Sequence, residues 1–170
     1  ALATGLYALA ARSGTPRPGG WLGHSLGVAG FLLMLATETL YSLRKRTRHG
    51  TPGPMSAWLQ AHIFTGMVGP YLVLLHSSWK FNGLAGATTL LTAIIVVSGF
   101  VGRYIYTRIP RSLDGSELDA KPGGLQAAAL ARARRLLAIW HAVHIPIGVA
   151  LFTSAFIHVG AALYYATLMR

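Results

Sequence analysis

The stretch HIPIGVALFTSAFIH, residues 144–158, decides the fold of this chain because a second stretch of the same design precedes it. The second stretch, HIFTGMVGPYLVLLH, covers residues 62–76, and both stretches begin and end with histidine. Fourteen helical steps end about 40° short of four full turns and rise about 21 Å. If both stretches are helical, the two histidines of each lie on one helix face at well separated depths.

Composition identifies the class of protein that carries these stretches. Hydrophobic residues make up 53% of the chain and charged residues 11%, whereas a soluble domain has about 25% charged residues. The mean hydropathy is +0.49, and the apolar residues fall in long runs. We therefore predict an all-α integral membrane protein. The net charge of +11 does not indicate nucleic-acid binding, because the basic residues cluster at the ends of apolar runs.

Four apolar segments are long enough to cross a hydrocarbon core of about 30 Å. We predict a four-helix transmembrane domain over residues 21–170, with a polar loop at 107–135. Its spans are expected at about residues 21–43, 58–79, 84–106 and 136–168. The apolar run within residues 1–20 is too short to span. That segment is expected to lie at the membrane interface or to be the remnant of a longer N-terminus.

The distribution of positive charge predicts how the spans are oriented. Most of the 15 lysines and arginines lie in the loops that follow the first and third spans. The positive-inside rule places these loops in the cytoplasm and both termini outside, as in a bacterial inner membrane. The second and fourth spans then run parallel. We expect His62 beside His144 near the inner face and His76 beside His158 near the outer face.

Paired histidines on parallel apolar helices indicate bound haem. Cysteine is absent, which excludes thiolate-ligated clusters and covalently attached haem, so any haem here is b-type. One histidine from each helix can fill the two axial positions of a flat macrocycle, and a neutral imidazole suits an apolar site. Gly66 and Gly148, four residues after the inner histidines, leave room for the ring. The alternatives are histidines that only pack helices together and a metal transporter, although the intervening residues are aliphatic or aromatic.

Further glycines and cations are candidates for contact with two haems. Gly30 belongs to a ridge of small residues on the first span, which suits close approach of another helix or of a flat cofactor. Gly86 and Gly99 place small residues near the ends of the third span. Lys80 is expected at the outer haem propionates and Arg103 at the inner ones, because anionic groups there need cationic partners.

Two polar residues of the first span have open roles. Glu38 is the only acidic residue within a predicted span, so it is a candidate for proton or quinone chemistry, or a side chain that reaches the surface or bonds another helix. His24 could contact a propionate or a quinone, or be hydrated at the interface. His141 lies about 100° away from the face of His158 and is expected to face a propionate, a loop or a lipid headgroup.

The four histidines and the glycines of the first and third spans resemble the di-haem cytochrome b of quinol:cytochrome c oxidoreductases. They are also similar to ferric reductase-type membrane domains. The resemblance covers residues 21–168 and implies transmembrane electron transfer between two bis-histidine b haems. The implied partners are membrane lipid and other redox subunits of a respiratory or photosynthetic complex, with quinone as a further candidate. The chain lacks the family's additional helices and a Pro-Glu-Trp-type quinol motif.

These features predict an electron-transfer subunit rather than a complete enzyme. No dinucleotide fingerprint is present, and no residue is assigned a catalytic role. The alternative from another class is a non-redox membrane protein, either a metal transporter or an assembly and packing subunit.

Overall fold

A computed structural model describes residues 2–12, 14, 16–47, 53–109 and 125–168. The described residues form five α-helices and no strand. These are α1 (Leu2–Ala11), α2 (Trp21–Arg46), α3 (Met55–His76), α4 (Gly83–Tyr106) and α5 (Leu125–Leu168). Helices α2 to α5 are long and apolar enough to cross a membrane. The predicted all-α fold with four membrane spans is therefore confirmed.

The helix that contains the fourth predicted span is longer than that span. Helix α5 begins at Leu125, well before the expected residue 136, and its 44 residues correspond to about 66 Å at 1.5 Å per residue. The segment LQAAALARARR consists mainly of strong helix formers, so the helix continues into it without a break. Leu130 and Ala133 of this extension pack on Ile109, just after α4. Residues 125–135 of the predicted polar loop are thus helical, and its residues 110–124 lie outside the described part of the chain.

The N-terminal segment contains the ten-residue helix α1, which is too short to span a membrane. Ala3 and Tyr7 pack against a buried cluster formed by Leu26, Leu72 and Leu75. The hydroxyl groups of Thr4 and Tyr71 also lie 2.9 Å apart. Helix α1 is therefore attached to the side of α2 and α3.

Helices α2 and α3 form a tightly packed antiparallel hairpin. A Cβ at Gly30 would lie 2.8 Å from the carbonyl oxygen of Gly69, so the two backbones touch at this point. Further along the same interface, Thr37 Oγ1 donates a 2.7 Å hydrogen bond to Thr65 Oγ1. Small residues and hydroxyl groups are the usual contacts between membrane helices, because lipid removes the hydrophobic driving force.

Helices α4 and α5 form the second hairpin by the same means. Thr88 Oγ1 and Ser154 Oγ lie 2.6 Å apart across its interface. Nearer the other end, the indole of Trp140 lies directly on Gly102, where a Cβ would come within 2.2 Å of the ring. This hairpin is therefore also held by a small residue and a hydroxyl pair.

The two hairpins touch each other far less than the helices within each hairpin do. Phe31 of α2 and Phe156 of α5 meet edge to face with ring centroids 5.4 Å apart. Few described side chains are buried, and Leu151 is the large one that is fully enclosed, at 1% exposure. The space between the hairpins is thus not filled by protein side chains.

Candidate cofactor site

A cavity of about 520 Å³ lies between the two hairpins. Ligand pockets generally measure roughly 300–1,000 Å³. Helices α2, α3, α4 and α5 all contribute to its walls, which are mainly aliphatic and aromatic. The sparse contact between the hairpins therefore leaves a space of cofactor size between them.

The cavity joins two of the predicted histidine ligands. His62 of α3 and His144 of α5 both line it. We call them the basic-end pair, because the last turns of α2 and α4 carry basic residues, Arg44, Lys45 and Arg46 on α2 and Arg103 on α4. The structure thus brings together the two residues that the sequence predicted to meet.

The histidines of α3 are held by backbone carbonyl groups of α2. His62 Nδ1 lies 3.1 Å from the Thr37 carbonyl oxygen, and His76 Nδ1 lies 2.8 Å from the Gly23 carbonyl oxygen. A carbonyl oxygen only accepts, so each Nδ1 carries the proton and donates it. In a neutral imidazole the metal-binding lone pair is then on Nε2. A hydrogen bond on the opposite ring nitrogen is the usual way in which a protein orients a histidine ligand.

His144 has a different support, made by side chains. Its Nδ1 lies 2.9 Å from Ser98 Oγ. Trp140 Nε1 donates to the Ser98 carbonyl oxygen at 2.7 Å and reaches Ser98 Oγ at 3.1 Å. The Trp140 ring also lies against the imidazole of His144, with centroids 4.5 Å apart and planes 31° apart.

The sequence prediction missed both of these supporting residues, although each left a signal. Ser98 is the single polar residue in the aliphatic and aromatic run AIIVVSGFV, residues 93–101. Trp140 precedes His144 by four residues, which places the two on one helix face. By contrast, nothing in the sequence marks the Thr37 carbonyl as the partner of His62.

The other predicted pair, His76 and His158, we call the far-end pair. The ring of His76 rests on the backbone of α2, because a Cβ at Gly27 would lie 2.8 Å from His76 Nδ1. Neither residue is among those that line the 520 Å³ cavity. Gly27 and Gly30 belong to one row of small residues on α2. Gly27 makes room for the His76 ring, and Gly30 makes room for the backbone of α3 at Gly69.

The predicted glycines divide into two groups. Gly66, Gly99 and Gly148 line the cavity, and a Cβ at Gly99 or Gly148 would meet no atom within 4 Å. Gly30 packs against Gly69, which agrees with the alternative of helix contact. A Cβ at Gly86 would meet the Phe81 carbonyl oxygen at 2.4 Å, so this glycine serves the turn that enters α4. The cavity glycines leave open volume, whereas the others permit close backbone contact.

Charged and polar side chains gather where the cavity approaches the basic end. The group comprises Glu38, Tyr41, Lys45, Arg103, Tyr106 and His141. Arg103 was predicted to lie at this end. His141 was predicted to lie away from the ligand face, and it lines the polar end of the cavity. The Nδ1 atom of His141 is 3.0 Å from the Leu137 carbonyl oxygen. The cavity therefore has an apolar middle with two histidines and a polar end with two cations.

Two predicted contacts lie away from this cavity. Lys80 is exposed in the connection between α3 and α4, where its backbone N–H donates to the Ser77 carbonyl oxygen. His24 is exposed near the start of α2. Both belong to the far-end half of the molecule, on the same side as His76 in the α2–α3 hairpin.

The described residues contain no group of three or more His, Cys, Asp or Glu side chains arranged around a metal ion. A haem needs only two protein ligands, because the macrocycle supplies the others. Comparisons of the chain with protein-family models, with curated proteins and with solved structures gave no match. What this site can do therefore follows from its histidines, cavity and charges.

Proposed function

We propose that this chain carries electrons across a membrane through two bis-histidine b haems, as a subunit of a larger oxidoreductase complex. His62 and His144 would hold one haem, and His76 and His158 the other. The observation that carries the proposal is the support of His62 at the cavity wall. Its Nδ1 proton is given to a backbone carbonyl, which leaves Nε2 as the metal-binding atom in a space of about 520 Å³.

The cavity suits a haem in its lining and in its charge. Its apolar walls suit a porphyrin face, and Gly99 and Gly148 leave the space that side chains would otherwise occupy. Lys45 and Arg103 at the polar end suit two carboxylates. A bound haem supplies one-electron Fe(III)/Fe(II) chemistry. The chain would hold both axial positions, orient the ring and exclude water.

The spacing of the two pairs supports a path across the membrane. The histidines of each helix are separated by about 21 Å along its axis, so the two sites lie at different depths. A haem held by two histidines would suit electron relay rather than binding of oxygen. The basic end is assigned to the cytoplasmic side of a bacterial inner membrane, which would put both termini outside. Electron donors and acceptors would be other redox subunits or membrane quinone.

The decisive experiment is a measurement of haem content. We expect the chain, purified in detergent after expression in a haem-producing host, to show a reduced b-type spectrum. The pyridine haemochrome assay should give about two haems per chain. A folded, helical and colourless preparation from that host would refute the proposal. Such a result would favour the non-redox alternative, which metal binding or transport measurements could then examine.

Single substitutions test the assignment of ligands. His62→Ala or His144→Ala should remove one haem, and His158→Ala should remove the other. His24→Ala is the matched control for ligation, because this exposed histidine of α2 belongs to neither predicted ligand pair. Loss of haem in the control equal to that in the ligand variants would contradict the pairing.

Exchange of electrons with quinone needs a group that can transfer protons. Glu38 lines the polar end of the cavity and accepts a 3.4 Å hydrogen bond from Ser42 Oγ. Quinone turnover should therefore fall in Glu38→Gln. Unchanged turnover in Glu38→Gln and in His24→Ala would remove quinone from the proposal and leave the haem relay intact.

A further inference from the structure

We propose that Ser98 and Trp140 are positioning residues that set the electronic properties of the basic-end haem separately from those of the far-end haem. This inference rests on the proposed function, because it concerns the ligand His144 of a bound haem. Its evidence is the arrangement of the three side chains at the α4–α5 interface.

The hydroxyl oxygen of Ser98 lies between two ring nitrogens. Trp140 Nε1 is 3.1 Å from this oxygen and His144 Nδ1 is 2.9 Å from it. The indole nitrogen can only donate, so Ser98 Oγ accepts from Trp140. When His144 Nε2 binds iron, the Nδ1 proton has Ser98 Oγ as its acceptor, which uses the second lone pair of this oxygen. Ser98 Oγ is thus placed to accept the Nδ1 proton of a His144 that binds iron through Nε2.

Trp140 restricts the rotation of the same imidazole. Its ring lies 4.5 Å from that of His144, at an angle of 31° between the planes. The indole is itself held by the 2.7 Å hydrogen bond to the Ser98 carbonyl oxygen and by the flat surface at Gly102. The plane of the His144 ring is therefore defined by groups on α4 as well as on α5.

The support of His144 differs in kind from that of His62 and His76. His62 and His76 donate to backbone carbonyl groups. Replacing the side chain of the acceptor residue leaves such a carbonyl group in place. The hydrogen bond from His144 to Ser98 can be removed by one substitution. Donation from Nδ1 makes an imidazole a more electron-rich ligand, and hydrogen bonding around a haem ligand is a known control of reduction potential.

The main test is Ser98→Ala in the haem-loaded chain, with redox titration and electron paramagnetic resonance of each haem. The basic-end haem is identified as the one that His62→Ala removes. Loss of the acceptor should favour Fe(II) at this haem by up to about tenfold, which is 59 mV for a one-electron couple. Its low-spin signal should also change shape, because the imidazole plane is less restricted. The far-end haem should not respond.

Two further variants separate positioning from general damage. Ser98→Thr keeps a hydroxyl group and should restore the wild-type signal. Thr88→Ala removes the α4–α5 hydrogen bond to Ser154 and should leave the basic-end haem unchanged. If Ser98→Ala does not fold, Trp140→Phe is used instead, because it removes the N–H donor but keeps an aromatic ring. That variant should alter the same signal.

The outcomes distinguish this inference from the proposed function. A wild-type chain without haem would overturn both. A chain with two haems whose basic-end potential and signal are unchanged in Ser98→Ala would overturn the role of Ser98 alone. An equal change in Thr88→Ala would also overturn it, because the effect would then come from general loosening of the hairpin.

Discussion

Gly102→Ala is predicted to disrupt the α4–α5 hairpin and the His144 site together. The added Cβ would lie 2.2 Å from Cζ2, 2.3 Å from Cε2 and 2.8 Å from Cη2 of Trp140. These atoms belong to a rigid ring, so no flexible end can move aside. To restore an ordinary contact of 3.4 Å, the indole must move by about 1 Å.

The expected loss of stability has two contributions, overpacking at Gly102 and a broken hydrogen bond of Trp140. Overpacking of a filled contact costs about 1–3 kcal/mol. A shift of about 1 Å also carries Trp140 Nε1 beyond hydrogen-bond range of the Ser98 carbonyl oxygen, which is now 2.7 Å away. One lost hydrogen bond adds about 0.5–1.5 kcal/mol. We expect the free energy of unfolding to fall by about 1.5–4.5 kcal/mol in total.

The assay is denaturant titration of the detergent-solubilised protein, followed by circular dichroism and by haem absorbance. Gly160→Ala is the matched control, because it makes the same change on α5 where a Cβ meets no atom within 4 Å. The control should be as stable as the wild type or slightly more stable, since alanine is the better helix former. Equal stability of Gly102→Ala and Gly160→Ala, with the basic-end haem intact, would refute the contact between Gly102 and Trp140.

Three further predictions test other parts of the molecule. Gly148→Leu should halve the haem content without unfolding the chain, because the leucine side chain would enter open cavity space. Retention of both haems in the haemochrome assay would contradict the cavity assignment. Thr65→Val removes the 2.7 Å hydrogen bond from Thr37. It should lower the free energy of unfolding by about 0.6 kcal/mol, which is typical of a hydrogen bond between membrane helices. An unchanged denaturation midpoint would count against that hydrogen bond. Arg103→Gln should speed transfer of haem from the basic-end site to apomyoglobin, since it removes one of two cations at the polar end; an unaltered transfer rate would exclude Arg103 as a propionate partner.

The spans could be predicted because each is a continuous apolar run bounded by polar or aromatic residues. The start of α5 could not be predicted in the same way. Hydropathy marks where a helix leaves the hydrocarbon, whereas α5 continues to Leu125 through a segment that favours helix by intrinsic propensity. The sequence alone also leaves the role of Gly30 open, because a small residue permits close approach of another helix or of a cofactor. The position of Gly69 on the neighbouring helix shows that Gly30 makes a helix contact.

The sequence by itself determined an all-α membrane protein with four spans, and it singled out two pairs of histidines at equal spacing. Periodicity and hydropathy are local properties, so they can be evaluated along the chain alone. The tertiary structure decided which groups hold those histidines: the carbonyl groups of Gly23 and Thr37 for one helix, and Ser98 with Trp140 for His144. Backbone carbonyls have no sequence signature, and a hydrogen bond between helices depends on their rotation and depth. The cavity between the hairpins is likewise a product of packing, because it exists only where four helices fail to fill the space they enclose.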